Sequence, residues 1–106
     1  MKKGYMYILE CADGSYYTGS TSRLDLRIMQ HQAALGANYT KKRLPVRLVY
    51  FEEFMDVRVA FRREKQIQGW SRKKKEALIQ FKFHELPGLS KSKKKRALRP
   101  GSAPVL

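Results

Sequence analysis

The chain has 106 residues, the length of one domain with one modest core, and at 42% hydrophobic and 30% charged it is globular in composition. Lysine and arginine number 23 against 9 acidic residues, a net charge of +14 that points to a polyanionic partner, nucleic acid first. No apolar run approaches the roughly 20 residues of a membrane span, which argues against a membrane partner. The single Cys11 can form no internal disulfide and suits a reducing cytoplasm.

The N-terminus "MKKGYMYILE" pairs two lysines with a short apolar stretch. Glu10 and Asp13 interrupt it before any small-residue cleavage site, so it reads as a strand and not as a signal peptide. Residues 4–10 and 15–19 are β-prone runs, and Asp13-Gly14 between them marks a hairpin. Side chains alternate along a strand, so Tyr5 and Tyr7 share one face while Met6 and Ile8 take the other. A two-residue Asp13-Gly14 turn would put Tyr17 on the face opposite Tyr7. A three-residue loop, Ala12 to Gly14 with Gly14 left-handed, would pair Leu9 with Tyr17 and put both tyrosines on one face. Both loops are allowed.

Ser22-Arg23-Leu24-Asp25 has the capping pattern of a helix start, and the helix is expected to run to about Leu35 with Gly36 as its terminator. Leu24, Ile28 and Leu35 form its apolar stripe. Arg27 and His31 fall on the same stripe. A basic loop, "ANYTKKRLP", follows, and "VRLVYFEEF" (46–54) reads as a strand. Asp56 caps a second helix that Gly69 ends. Its stripe is Val57, Ala60, Phe61 and Ile67 with Glu64 inside it, while Arg62, Arg63, Lys65 and Gln66 face outward. Ser71 caps a third helix.

These elements predict an α/β fold in the order β-β-α-β-α-α, a small, mainly antiparallel three-stranded sheet flanked by helices. Residues 1–86 form the domain, and 87–106 read as a basic, flexible tail. Lys93, Lys94, Lys95 and Arg96 of that tail, with Lys41, Lys42 and Arg43 of the loop, are the candidate nucleic-acid contacts.

Burying isolated charges costs several kcal/mol unless they pair or face a cleft. The inward Arg27, His31 and Glu64 therefore have two readings. Glu64 pairs with Arg27 or His31 as an ion pair supporting the fold, or the three line a polar pocket over the sheet.

Set in order, "YMY" (5–7), "YTG" (17–19), Arg27, His31 and Glu64 resemble the GIY-YIG nuclease domain over about residues 4 to 83. The likeness is greatest to its small stand-alone bacterial members, through "DGSYYTG", "RREKQI" and "GWSRKKKEALI". It departs from them at Tyr5, where the family name has glycine, at Thr18, and in lacking a clear equivalent of the polar residue, often asparagine, that follows the glutamate helix.

The resemblance implies metal-dependent cleavage of a DNA phosphodiester; with the composition it reads as a cytoplasmic or nucleoid-associated endonuclease of little sequence specificity, DNA leading over RNA as substrate. It implies Tyr7 and Tyr17 as signature tyrosines, Arg27 and His31 as the helix pair, and Glu64 as ligand of Mg²⁺ or Mn²⁺. It also favours the three-residue hairpin loop. A tyrosine would act as general base only with its pKa well below the usual ~10, His31 orienting it. This length leaves no room for a recognition domain, so weak activity, selection of DNA by its structure, or dependence on a protein partner alongside DNA is expected. A protein that keeps the fold and binds nucleic acid without cutting it is the alternative.

Overall fold

A computed structural model describes residues 2–85, with side chains as far as Phe81. Lys93, Lys94, Lys95 and Arg96 lie outside the described residues. The chain divides into two units, one ending at Trp70 and the other beginning at Ser71. The first contains β1 (Gly4–Glu10), β2 (Tyr16–Thr21), α1 (Leu24–Gln32), α2 (Asn38–Lys41), β3 (Arg47–Phe54) and α3 (Val57–Gln68). The second contains α4 (Arg72–Glu85), whose first turn is capped by Ser71 Oγ accepting from the Lys74 N–H at 3.2 Å. Among the described residues the strands form one antiparallel sheet in the order β2-β1-β3. The expected α/β class and element order stand, with one addition: the "ANYTKKRLP" loop contains the short helix α2.

The hairpin register resolves the choice of loop. Leu9 lies opposite Tyr17 and Glu10 opposite Tyr16, and the Cys11 N–H bonds to the Ser15 carbonyl at 2.8 Å. Three residues, Ala12 to Gly14, make the turn. Gly14 sits at φ +85°, a left-handed conformation that strains any residue with a side chain. Tyr7 and Tyr17 therefore share a face.

As the central strand, β1 is covered on both sides, and Met6, Tyr7, Ile8 and Leu9 are all fully buried. On one face Tyr7, Leu9 and Val46 form a core with Leu24 and Ile28 of α1. Helix α3 packs on the other face through its buried Ala60 and Ile67. A bulge in β3 shifts its pairing, with Tyr50 opposite Ile8 but Leu48 opposite Leu9. The extra residue turns both Leu48 and Phe51 toward the Tyr7 core, which strict alternation would forbid.

Several local expectations are corrected. Ser22 does not cap α1: Arg23 is the N-cap and makes no side-chain capping bond, while the Arg23 N–H goes to Thr21 Oγ1 at 3.0 Å. Nor does Gly36 end that helix. It closes at Gln32 through a two-bond cap in which the Ala34 N–H reaches the His31 carbonyl and the Leu35 N–H the Gln30 carbonyl. The left-handed residue of that cap is Ala34, at φ +62°. Leu35 thus falls beyond the helix and is 74% exposed instead of joining the core.

In α3 the Asp56 cap holds, its carboxylate accepting from the Arg58 N–H at 2.9 Å, and Gly69 is the C-cap. Phe61, expected inside, is about half exposed with Lys65 over its ring. Arg63, expected outside, turns to β3 and grips Glu52 with two bonds of 2.8 and 3.0 Å. Its guanidinium also lies 5.5 Å from the centre of the Trp70 ring.

Candidate active site

Tyr7 reaches the site by passing across the neighbouring strand. Gly19 lies directly opposite it on β2, and a Cβ there would stand 2.5 Å from the Tyr7 hydroxyl oxygen. Only a residue without a side chain lets the phenol extend over β2. Its Oη ends 2.9 Å from Nε2 of His31. His31 is 1% exposed, and its other nitrogen, Nδ1, lies 2.8 Å from Thr40 Oγ1 on α2. Gly36 lies against the flat of that ring, so that any Cβ would overlap Nδ1. Its role is close backbone approach to His31, not helix termination.

Tyr17 completes an aromatic cluster, with its ring 6.4 Å from Tyr7, 5.3 Å from His31 and stacked on Tyr39 at 6.2 Å. The Arg43 guanidinium sits 3.8 Å over the Tyr39 ring, donates to the Tyr39 carbonyl and pairs with Asp13 at 3.1 Å. Arg43 therefore ties the α2 segment to the hairpin. Lys41 and Lys42 are exposed on the same segment.

Arg27 and Glu64 arrive from opposite layers. Arg27 extends from α1 to the Ser20 carbonyl at 3.5 Å and bonds to Gln30 at 3.2 Å. Glu64, 8% exposed, accepts from Ser20 Oγ at 2.5 Å and from Gln68 Nε2 at 2.6 Å. Gln68 also donates to the Thr18 carbonyl. Ser20 pairs with Met6, so its side chain is on the α3 face of the sheet, whereas Tyr7, Tyr17 and Gly19 are on the α1 face. The polar residues thus do not line a pocket over one face. They converge around β2, the edge strand, from both sides. None of the ion pairs among the described residues involves Glu64, so the structural ion pair with Arg27 or His31 is not formed. A groove of about 300 Å³ opens beside Tyr17, Arg27 and His31.

Electrostatics follow from this burial. Tyr7 is pushed up to about 12, chiefly by burial and then by Tyr17, while the Arg27 guanidinium pulls the other way. Tyr17 is raised by burial and then by the Glu64 charge, against Arg27. The lowered phenol expected of a tyrosine base is therefore not found in the protein by itself: desolvation outweighs Arg27. His31 is lowered, first by burial and then by Arg27, which favours the neutral imidazole. Burial also raises the Cys11 thiol, which suits a packing role and not a nucleophile.

Among the described residues no three His, Cys, Asp or Glu side chains cluster as a metal cage. A divalent ion at this site would rest on the Glu64 carboxylate with water and substrate oxygens around it. The fit is chemically sound. An ionised carboxylate offers about four acceptor sites; Ser20 and Gln68 occupy two, both are neutral, and a buried charge with only neutral partners favours a cation.

The model of the GIY-YIG catalytic domain matches residues 3–77. The chain belongs to the GIY-YIG family. It is 48% identical over 80 residues to a UPF0213 protein of Staphylococcus haemolyticus, covering 76% of this chain and 98% of that one. With a UPF0213 protein of Bacillus pumilus it shares 46% over 76 residues, 72% of this chain and 78% of the other. The solution NMR structure of the UPF0213 protein BH0048 from Bacillus halodurans matches with a TM-score of 0.51 and 42% identity, over 85% of this chain and 99% of that. The NMR structure of protein EF2693 from E. faecalis matches at 0.56 and 32% identity, over 91% and 97%. The UPF0213 relatives are small stand-alone GIY-YIG domain proteins of bacteria and archaea. GIY-YIG is a nuclease superfamily whose members generally depend on a divalent metal and act on nucleic acid.

Within this GIY-YIG domain the five residues that the resemblance singled out gather around β2, Tyr7 bonded to His31, Tyr17 against both, and Arg27 and Glu64 reaching Ser20 from the two faces of the sheet. Three others at the site were not foreseen in the sequence: Thr40, Gln68 and Ser20. Thr40 sits in a segment read as a basic loop that would follow a phosphate backbone, not as a partner of His31. Gln68 carries a signal in hindsight, since it follows Glu64 by four residues and so shares its face of α3.

Proposed function

We propose that the chain is a cytoplasmic endonuclease that hydrolyses DNA phosphodiester bonds with low sequence specificity, using Mg²⁺ or Mn²⁺. The observation that carries this reading is the buried Glu64 carboxylate, held by neutral donors only and set beside two tyrosines and an arginine. A domain that only bound nucleic acid would gain nothing from a carboxylate near phosphate.

Glu64 would hold the ion, which when bound supplies charge neutralisation at the phosphate and its leaving oxygen. Arg27, permanently charged, would stabilise charge on the phosphoryl oxygens as it develops. A water attacks phosphorus in line with the leaving oxygen. Tyr7 Oη takes the water's proton while its own passes to His31 Nε2, 2.9 Å away. A high phenol pKa is no obstacle to that exchange, since Tyr7 need never stand as a free phenolate. Tyr17 bounds the other side of the site. Lys41 and Lys42 would follow the substrate backbone, with Lys93, Lys94, Lys95 and Arg96 adding salt-dependent affinity. Branched, nicked or single-stranded DNA in repair or recombination is the substrate class we favour.

The test is to incubate the purified chain and its Glu64→Ala variant with flap, junction, single-stranded and duplex DNA, in Mg²⁺, Mn²⁺ or EDTA. Metal-dependent nicking that disappears in the variant, with DNA affinity equal or higher, is expected. Tight binding with no cutting on any substrate would favour the alternative, a nucleic-acid-binding protein that keeps the nuclease fold.

A further inference from the structure

Thr40 is fully buried and has no place in the scheme above, yet it determines what His31 can do. Its hydroxyl has one proton. That proton goes to the carbonyl of Ala37, 3.0 Å away at the N-cap of α2. A carbonyl can only accept, so the direction of this bond is fixed. Thr40 Oγ1 therefore presents a lone pair to His31 Nδ1 at 2.8 Å, and Nδ1 must carry a proton. In a neutral imidazole the second nitrogen is then bare. That nitrogen, Nε2, is the one facing Tyr7 Oη at 2.9 Å, and Tyr7 must be the donor. The polarity of the whole line, Tyr7 to His31 to Thr40 to Ala37, is set from its carbonyl end.

We propose that Thr40 is a positioning residue that locks His31 in the Nδ1–H tautomer, making Nε2 the acceptor of the Tyr7 proton during hydrolysis. The catalytic half of this inference rests on the nuclease reading. The proton inventory closes. A water O–H breaks as the Tyr7 O–H forms, and the original Tyr7 O–H breaks as Nε2–H forms. The water oxygen bonds to phosphorus while the bond to the leaving oxygen breaks. The leaving oxygen takes a proton from solvent, and the imidazolium later returns one. With the opposite tautomer, Nε2–H would point at Tyr7 and the phenol would have no acceptor. Gly36 contributes by leaving room for Nδ1 at this position.

The first measurement needs no variant: a long-range ¹⁵N–¹H correlation spectrum of the imidazoles in the full chain at pH 8. His31 should show a protonated Nδ1 and a bare Nε2; a protonated Nε2 would overturn the proposal. Next, Thr40→Val keeps the shape but removes the oxygen, and Thr40→Ser restores it. Thr40→Val should populate the Nε2–H form and slow single-turnover cleavage by about 100-fold, with DNA affinity unchanged. Thr40→Ser should recover both tautomer and rate. Should Thr40→Val fail to fold, Thr40→Ser with wild-type tautomer and rate supports the assignment, and Thr40→Ser with wild-type tautomer but the full rate loss overturns it. If the wild-type chain cuts no DNA, the nuclease reading falls with the Tyr7 step, while the spectra still decide the tautomer lock: a His31 signal unchanged in Thr40→Val would refute it.

Discussion

Gly19 lies beneath the Tyr7 hydroxyl, so close that a methyl group on Gly19 would stand 2.5 Å from that oxygen and 2.6 Å from the ring carbon bearing it. The glycine is on the edge strand and the tyrosine on the central one. The position of the Tyr7 hydroxyl on His31 therefore depends on the absence of a side chain one strand away.

Gly19→Ala should displace the phenol and break its bond to His31, because two rigid groups cannot share that space. A displacement of about 1 Å at a reacting group costs on the order of 10²-fold in rate. Cleavage by Gly19→Ala should fall to the level of Tyr7→Phe. Comparing the two variants in one assay checks this; near wild-type cutting by Gly19→Ala would show that Tyr7 is not where the reaction needs it.

Thr18 is a second consequence of the same strand. It is 3% exposed, lies opposite Ile8, and its hydroxyl finds no partner among the described residues. A buried polar group left unpaired costs roughly 1–3 kcal/mol. Thr18→Val keeps the branched shape and removes that cost, so it should stabilise the fold by about 1 kcal/mol. Urea denaturation would register this as a higher midpoint at unchanged slope.

Ala34 carries the left-handed cap of α1 at φ +62°. An L-residue pays roughly 1–2 kcal/mol to sit there, and glycine does not. Even after the extra freedom that glycine has in the unfolded chain, Ala34→Gly should raise stability by about 0.5 kcal/mol. A Tm no higher than that of the wild type would mean that the cap is not what closes the helix.

The protonation of His31 sets a pH dependence. Burial and Arg27 lower its pKa in the folded state below the ordinary ~6.5 of the unfolded chain. Between those two values the unfolded chain binds more protons, so stability rises with pH. The contribution is complete above about 6.5 and is lost as the pH falls through the folded value. Urea midpoints at pH 7.5 and 5 should therefore differ more for the wild type than for His31→Gln. Equal differences would place a proton on folded His31 without penalty.

Much of this molecule is legible in the chain itself. The strand "YMYILE" and the Asp56 and Ser71 caps are local patterns that formed as read, and the helix stripes brought His31 and Glu64 to buried positions although Leu35 and Phe61 left them. The errors are also instructive. Phe61 has the right period for the core but lies at its edge, and Arg63 turns inward because Glu52 of β3 is within reach. Ser22 has the spacing of a cap, but Thr21 had already taken the neighbouring N–H.

Periodicity states which side of an element is buried, because it repeats within one turn or one pleat of the chain. It therefore determined by itself every element except α2, the α/β class and the presence of three polar side chains directed toward the sheet. It could not state what those side chains meet. The Tyr7–His31 bond spans 24 residues and the Ser20–Glu64 bond 44. Such pairings depend on where helices cross strands and on directions fixed within a few tenths of an ångström. Only the tertiary structure decided that Glu64 comes to β2 from the far side of the sheet, that the hairpin loop has three residues, and that a threonine in a basic loop meets the histidine.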